Sequence, residues 1–192
     1  MRTLIVLSGM PGSGKSTWAK GYLKEHPSTR WVASDEIRKE FFGIPNCFED
    51  EDRVWKTFCE RLTSDSENNP NFVAIADATT LTNALRMRYY HLTEDFDRHI
   101  LVLFKIQDYE AQNKQREPNR IVPEYAMDRM RGEYEEPNDE VKHAFEIHVV
   151  THFSPDGPFD LWKLSRGENA SAFFFGTKKP TRLSRLNDFV FD

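Results

Sequence analysis

Gly-Met-Pro-Gly-Ser-Gly-Lys-Ser, residues 9–16, satisfies the phosphate-binding pattern G-x-x-x-x-G-K-[ST] at every fixed position: Gly9, Gly14, Lys15 and Ser16. What surrounds it decides the fold. The preceding Arg2-Thr-Leu-Ile-Val-Leu-Ser8 is a short apolar, β-branched run and predicts a buried strand. The following Thr17 to Lys24 predicts a helix with Trp18, Tyr22 and Leu23 on its apolar side. A glycine-rich turn between a strand and a helix directs backbone N–H groups and the helix N-terminus at an anion. Gly9, Pro11, Gly12, Ser13, Gly14, Lys15, Ser16 and Thr17 are therefore the expected nucleotide contacts. Lys15 would reach the β- and γ-phosphates and the Ser16 hydroxyl Mg²⁺.

Outward from this octet, strand-like runs fall near 2–8, 30–34, 72–77, 99–106 and 145–151, with helical patterns at 15–25, 35–42, 50–66, 83–96, 108–116 and 123–134. The alternation predicts an α/β fold with a parallel sheet of about five strands and helices on both faces. The runs Phe72-Val-Ala-Ile-Ala76 and Ile100-Leu-Val-Leu-Phe104 are nearly all apolar, as a doubly covered sheet requires. In such sheets ligands sit beyond the carboxyl ends of the strands. The tail from Ser154 is punctuated by Pro155, Gly157 and Pro158, and Phe173–Phe175 and Phe189–Phe191 read as short strands. The 192 residues suit one domain, with residues from about 154 to 192 as an appendage.

Composition bounds the function. Hydrophobic residues make up 39%, charged residues 30%, and the net charge is −5. That balance argues against a broad grip on a long duplex but allows a local basic pocket for one strand end. Cys47 and Cys59 form neither a disulfide framework nor a metal site and suit a reducing compartment. The first apolar run is too short for a signal peptide and no stretch is long enough to span a membrane, so a cytoplasmic location is expected.

Chemistry is sought just after each strand. Asp35 follows Trp31-Val-Ala-Ser34, with Arg38 three residues on, one helical face away. The carboxylate can take a proton from a substrate hydroxyl and the guanidinium can hold a phosphate. A dipole-favoured helix N-terminal acid with a surface arginine explains the same spacing. Asp77 closes the third strand, where an acid can position Mg²⁺ or merely cap a turn. Asn113-Lys-Gln-Arg116 to Arg120-Ile-Val-Pro123 reads as a helix end, a basic loop and a new helix. Such a loop can close over transferring phosphates or be ordinary surface. His148 and His152 tempt a metal reading, but residues four apart on a strand are separated by roughly 13 Å, too far for one ion. Asp156-Gly157 lacks the second acid of a phosphatase motif. Phe173–Phe175 with Lys178 and Lys179 reads as core strand plus solvated lysines, with strand stacking the other option.

Together, residues 9–19, Ser34-Asp35-x-x-Arg38, Asp77-Ala-Thr and Asn113-x-x-Arg116 to Val122-Pro123 resemble the kinase domain of phage and bacterial polynucleotide 5′-kinases, over about residues 1–150. The resemblance implies a P-loop kinase with an Arg-bearing lid at about 113–134. It implies ATP with Mg²⁺ as donor and the 5′-OH end of RNA or DNA as acceptor. Asp35 becomes the general base, Arg38 the holder of a substrate phosphate, and Arg116 the lid arginine on the ATP phosphates. Asp77 and Arg86 are the further acceptor-side residues expected. The family often carries a second arginine one residue before the lid Asn; here Gln112 stands there and Arg120 takes its part. The fused phosphatase domain of some members has no counterpart. Two rival functions remain: a small-molecule kinase acting on a sugar, nucleoside or antibiotic, and a nucleotide-binding module without turnover. For the latter no Asn/Thr-Lys-x-Asp guanine-reading motif is found.

Overall fold

The computed structural model describes residues 1–151. Five strands form one parallel sheet: β1 (Thr3–Gly9), β2 (Arg30–Ala33), β3 (Val73–Asp77), β4 (Arg98–Phe104) and β5 (Glu146–Val150), in spatial order β2-β3-β1-β4-β5. Among the described residues seven α-helices connect or flank them: α1 (Lys15–Glu25), α2 (Ser34–Phe42), α3 (Glu51–Thr63), α4 (Asn83–Leu92), α5 (Tyr109–Lys114), α6 (Glu124–Glu133) and α7 (Asp139–Ala144). A 3₁₀ turn at Pro118–Arg120 lies between α5 and α6. This is the α/β arrangement the sequence predicts. The tail expected to form short strands, and the residues His152, Asp156, Phe173–Phe175, Lys178 and Lys179, lie outside the described residues.

β1 is buried along its whole length because helices cover both faces. Its period-2 side chains split between two cores. Leu4 and Val6 pack with Ile37 of α2, Val54, Phe58 and Leu62 of α3, and Met87 and Tyr89 of α4. Ile5 and Leu7 pack with Trp18, Ala19 and Tyr22 of α1. Leu23, expected on that apolar side of α1, is only half-buried. Fully burying one such aliphatic side chain is worth about 1.5–3 kcal/mol, against ~0–1 kcal/mol for an exposed ion pair. The two cores therefore dominate over surface pairs such as Arg61–Glu40.

Local chemistry sets the helix ends. Asp50, Thr82 and Asn138 accept from the backbone N–H groups of Arg53, Leu85 and Val141, capping α3, α4 and α7. α4 stops at Leu92 rather than 96: the Thr93 hydroxyl donates to the Tyr89 carbonyl, and Phe96 N–H closes a turn on Thr93. α5 stops at Lys114, ahead of Pro118, whose predecessor Glu117 is extended. Helix α7 lies outside the helical patterns read from the sequence, which end at 134. Asn138 caps it, Asp139 and Glu140 occupy its first turn, and Lys142 and His143 its last.

Candidate active site

The connection from β3 to β4 crosses over β1, so the crevice opens at the carboxyl ends of β1 and β3. A cavity of about 770 Å³ lies there. It is lined by the phosphate loop with Lys15, Ser16 and Thr17, by Asp35 and Arg38 of α2, by Asp77, and by Arg116 and Arg120.

Gly12 and Gly14 hold left-handed backbone at φ 85° and 90°, which glycine adopts at no steric cost. Gly14 thereby starts α1, and the loop turns its interior toward Lys15. The Lys15 ammonium is 8% exposed as a residue and donates to the Gly9 carbonyl at 2.7 Å and the Met10 carbonyl at 2.9 Å. Burial lowers its pKa from the usual 10.5 to about 8; Asp77 and Asp35 pull it up, while Arg116 adds to the depression.

Asp77 ends β3 with 5% exposure. Trp31 Nε1 donates to its Oδ2 at 3.1 Å, and the Ser16 hydroxyl lies beside it. Burial raises its carboxyl pKa, against the opposing pull of Lys15, Ser16 and Trp31. A carboxylate and a hydroxyl side by side beneath a phosphate loop form an all-oxygen donor set that suits Mg²⁺.

Asp35 sits in the first turn of α2. Its Oδ1 is 3.3 Å from Arg38 Nη1, and its Oδ2 is 3.3 Å from Arg120 Nη2 and 3.7 Å from Arg116 Nη2. The lid loop thus reaches across the cavity to the carboxylate after β2. Lid helix α6 is seated from below: Met127 is buried with Met10 and Leu81, and Val122 and Met130 pack against them.

Two features of the site leave no trace in local spacing. Glu51, at the head of α3, grips Arg38 in a bidentate pair, Nε to Oε1 and Nη2 to Oε2, both at 2.7 Å. Trp55 Nε1 also donates to Glu51, and the Arg38 guanidinium stands 4.8 Å from the Phe48 ring centre and 5.8 Å from that of Trp55. Arg38 is therefore buried, not the surface partner that spacing alone would allow. Glu51 and Phe48 lie in a charged and aromatic stretch whose only sequence cue is composition.

Arg86 is a correction. It is expected beside the acceptor but is 0% exposed and does not line the cavity. Its Nη1 donates to Asn83 Oδ1 and the Glu135 carbonyl, and its Nη2 to the Ser8 hydroxyl and the Leu81 carbonyl. Those bonds tie β1, the loop after β3 and the chain beyond α6 into one block. His148, rejected above as a metal ligand, pairs with Glu146 on β5. No cluster of His, Cys, Asp and Glu suited to a metal occurs among the described residues. No helix among them is long and apolar enough to cross a membrane.

The fold resembles several solved structures. One is the RNA repair complex Pnkp1/Rnl/Hen1, with TM-score 0.59 and 19% identity over 75% of this chain, which spans 46% of that chain. A fungal RNA kinase matches with TM-score 0.57 and 14% identity over 82% of this chain and 78% of that one. A gluconokinase from Sinorhizobium meliloti 1021 matches with TM-score 0.52 and 19% identity over 83% and 87%. At these identities the likeness establishes the fold alone. No curated protein sequence matches the chain. The model of the AAA domain family matches residues 4–137, which contain the phosphate loop, both acidic strand ends and the lid. On that match, and with a sheet and phosphate loop of P-loop kinase type, the chain belongs to the AAA domain family.

Proposed function

We propose that this chain is an ATP-dependent polynucleotide 5′-hydroxyl kinase, a single kinase domain acting on the 5′-OH end of RNA or DNA. The observation that carries the reading is Asp35, a half-exposed carboxylate across one cavity from Lys15, within 4 Å of Arg38, Arg116 and Arg120. In the proposed reaction Asp35 accepts the proton of the acceptor hydroxyl as its oxygen bonds to the γ-phosphorus. The bond to the β,γ-bridging oxygen breaks and ADP leaves. Lys15, Arg116 and Arg120 offset the charge spread over the phosphoryl oxygens. Ser16 and Asp77 would hold Mg²⁺, which arrives with ATP and neutralises phosphate charge. Arg38, with Phe48 and Trp55 on its flanks, offers a phosphate contact next to ring faces, as the terminal nucleotide of a strand would need.

One observation favours a small-molecule kinase as second reading. Glu51 already neutralises Arg38 along its Nε–Nη2 edge, which suits an uncharged acceptor such as a sugar. Transfer of labelled γ-phosphate to a panel of 5′-OH oligonucleotides, 3′-nucleotides, nucleosides and sugars separates the two. Asp35→Asn should lower transfer by ~10²-fold with nucleotide affinity little changed. Arg38→Ala should cost acceptors with a 3′-phosphate roughly 10–100-fold in kcat/KM, the worth of a charged hydrogen bond, and leave other acceptors nearly unaffected. If it slows both classes equally, or the wild type prefers free sugars, the polynucleotide reading fails.

Nucleotide affinity should also depend on pH. Phosphate oxygens placed beside Lys15 favour its charged form, while the protein alone holds its pKa at about 8. Binding therefore takes up a proton above that pH, and affinity weakens as pH rises through about 8, approaching ~tenfold per unit. Calorimetry of ADP binding in two buffers of different ionisation enthalpy measures that uptake. Pure proton release near pH 8.5 would contradict the assignment of Lys15.

A further inference from the structure

The segment carrying Arg116 and Arg120 leaves α5 at Lys114 and returns at Val122, and one side chain closes it. Asn113 is 4% exposed. Its Nδ2 donates to the Val122 carbonyl at 2.8 Å, and the Val122 N–H donates to its Oδ1 at 3.1 Å. This is a two-point bond of the kind that pairs strands, made by a carboxamide. The backbone of the same residue lies on the phosphate loop. A Cβ added to Gly12 would clash with the Tyr109 carbonyl oxygen and meet the Asn113 amide nitrogen at 2.9 Å, so only glycine lets the two segments approach this closely.

Asn113 itself does not line the cavity, whereas Gln112, Gln115 and Arg116 around it do. Arg116 stands 3.7 Å from Asp35, beyond hydrogen-bond distance, and Arg120 makes a single 3.3 Å bond to it, so Asp35 alone does not set the path of the segment that carries them. Their aim depends on the backbone beneath them, and that backbone is fixed by Asn113 at its neck.

We propose that Asn113 is a positioning residue for phosphoryl transfer. Its carboxamide ties the ends of the 114–121 segment and its backbone seats that segment on Gly12, so that Arg116 and Arg120 meet the transferring phosphoryl group in a preset arrangement. The proposal rests on the kinase reading above, but not on which acceptor is used. Asn113 exchanges no proton and touches no reacting atom. Its contribution passes through the two arginines.

That dependence gives a test. Asn113→Ala is made in the full chain, in the wild-type and Arg116→Ala/Arg120→Ala backgrounds. Each variant is assayed for γ-phosphoryl transfer to the acceptor the wild type uses best, with ADP affinity measured by calorimetry. In the wild-type background kcat should fall ~10–100-fold while acceptor KM and ADP Kd change less than about threefold. In the background lacking both arginines the same substitution should cost under about twofold, because there is nothing left to aim. Asn113→Asp is isosteric and still accepts from the Val122 N–H, so it covers failure of the alanine variant to fold; it should show the same dependence on background. An equal loss in both backgrounds, or no loss of kcat, overturns the proposal while an active wild type leaves the kinase reading standing. A wild type that transfers phosphate to no acceptor overturns that reading instead.

Discussion

Lys15→Ala is expected to lower phosphoryl transfer by ~10³-fold or more without lowering thermal stability. The two halves of this result come from one fact, the burial of the ammonium. In the folded protein its pKa stands at about 8 against 10.5 for an exposed lysine. A folded pKa below the unfolded one means folding disfavours the charged form. The penalty is present in full below about pH 8 and disappears as pH rises toward 10.5. At neutral pH it amounts to roughly 3 kcal/mol, at 1.36 kcal/mol per unit. The bonds to the Gly9 and Met10 carbonyls offset part of it. Alanine removes the buried charge and leaves two carbonyls at the edge of an open cavity, where water reaches them. A melting curve and a transfer assay on the same preparation check both halves. Near-wild-type transfer would sink the assignment of the phosphate site. Lost transfer with a collapsed melting temperature would show Lys15 to be chiefly structural.

The contrast between Asp35, Arg38 and Arg86 shows how far the sequence carries. Parallel strands point their carboxyl ends to one edge, so a carboxylate at the close of a strand-like run is placed at the site by topology. Asp77 could be located that way, and Asp35 also, from the run ending at Ser34. The phosphate loop was legible because its spacing, strand and helix are contiguous. Arg86 was not, because burial is decided by what the fold brings over a residue. Ser8, Leu81 and the Glu135 carbonyl converge on it from segments far apart in the chain. Glu51 was illegible for the same reason: it meets Arg38 only once α3 folds back on α2. The lid falls between these cases. Its arginines and Pro123 were visible in order, but their aim at Asp35 comes from Asn113, Gly12 and the packing of Met127 on Met10.

The lid supplies the other large effect. Arg116→Ala should reduce kcat ~10³-fold, with acceptor KM changed by far less. Arg116 is 24% exposed and its nearest acid, Asp35, is 3.7 Å away, beyond hydrogen-bond distance. Its donors are not consumed by a fixed partner, in contrast to Arg38, which Glu51 holds in two bonds of 2.7 Å. A guanidinium so placed can meet oxygens whose charge grows as the phosphoryl group moves, and it stabilises the transition state more than the bound substrate. Arg120 lies closer and donates its Nη2 to Asp35 Oδ2 at 3.3 Å. It is therefore more committed to its present position, and Arg120→Ala should show a milder kcat defect. The pair should be less than additive, since both act on the same phosphoryl oxygens. Single-turnover rates with saturating ATP separate this from weakened binding. If both single variants keep wild-type rates, the loop between Asn113 and Val122 does not act on the phosphates, and its contact with Asp35 serves only to hold it in place.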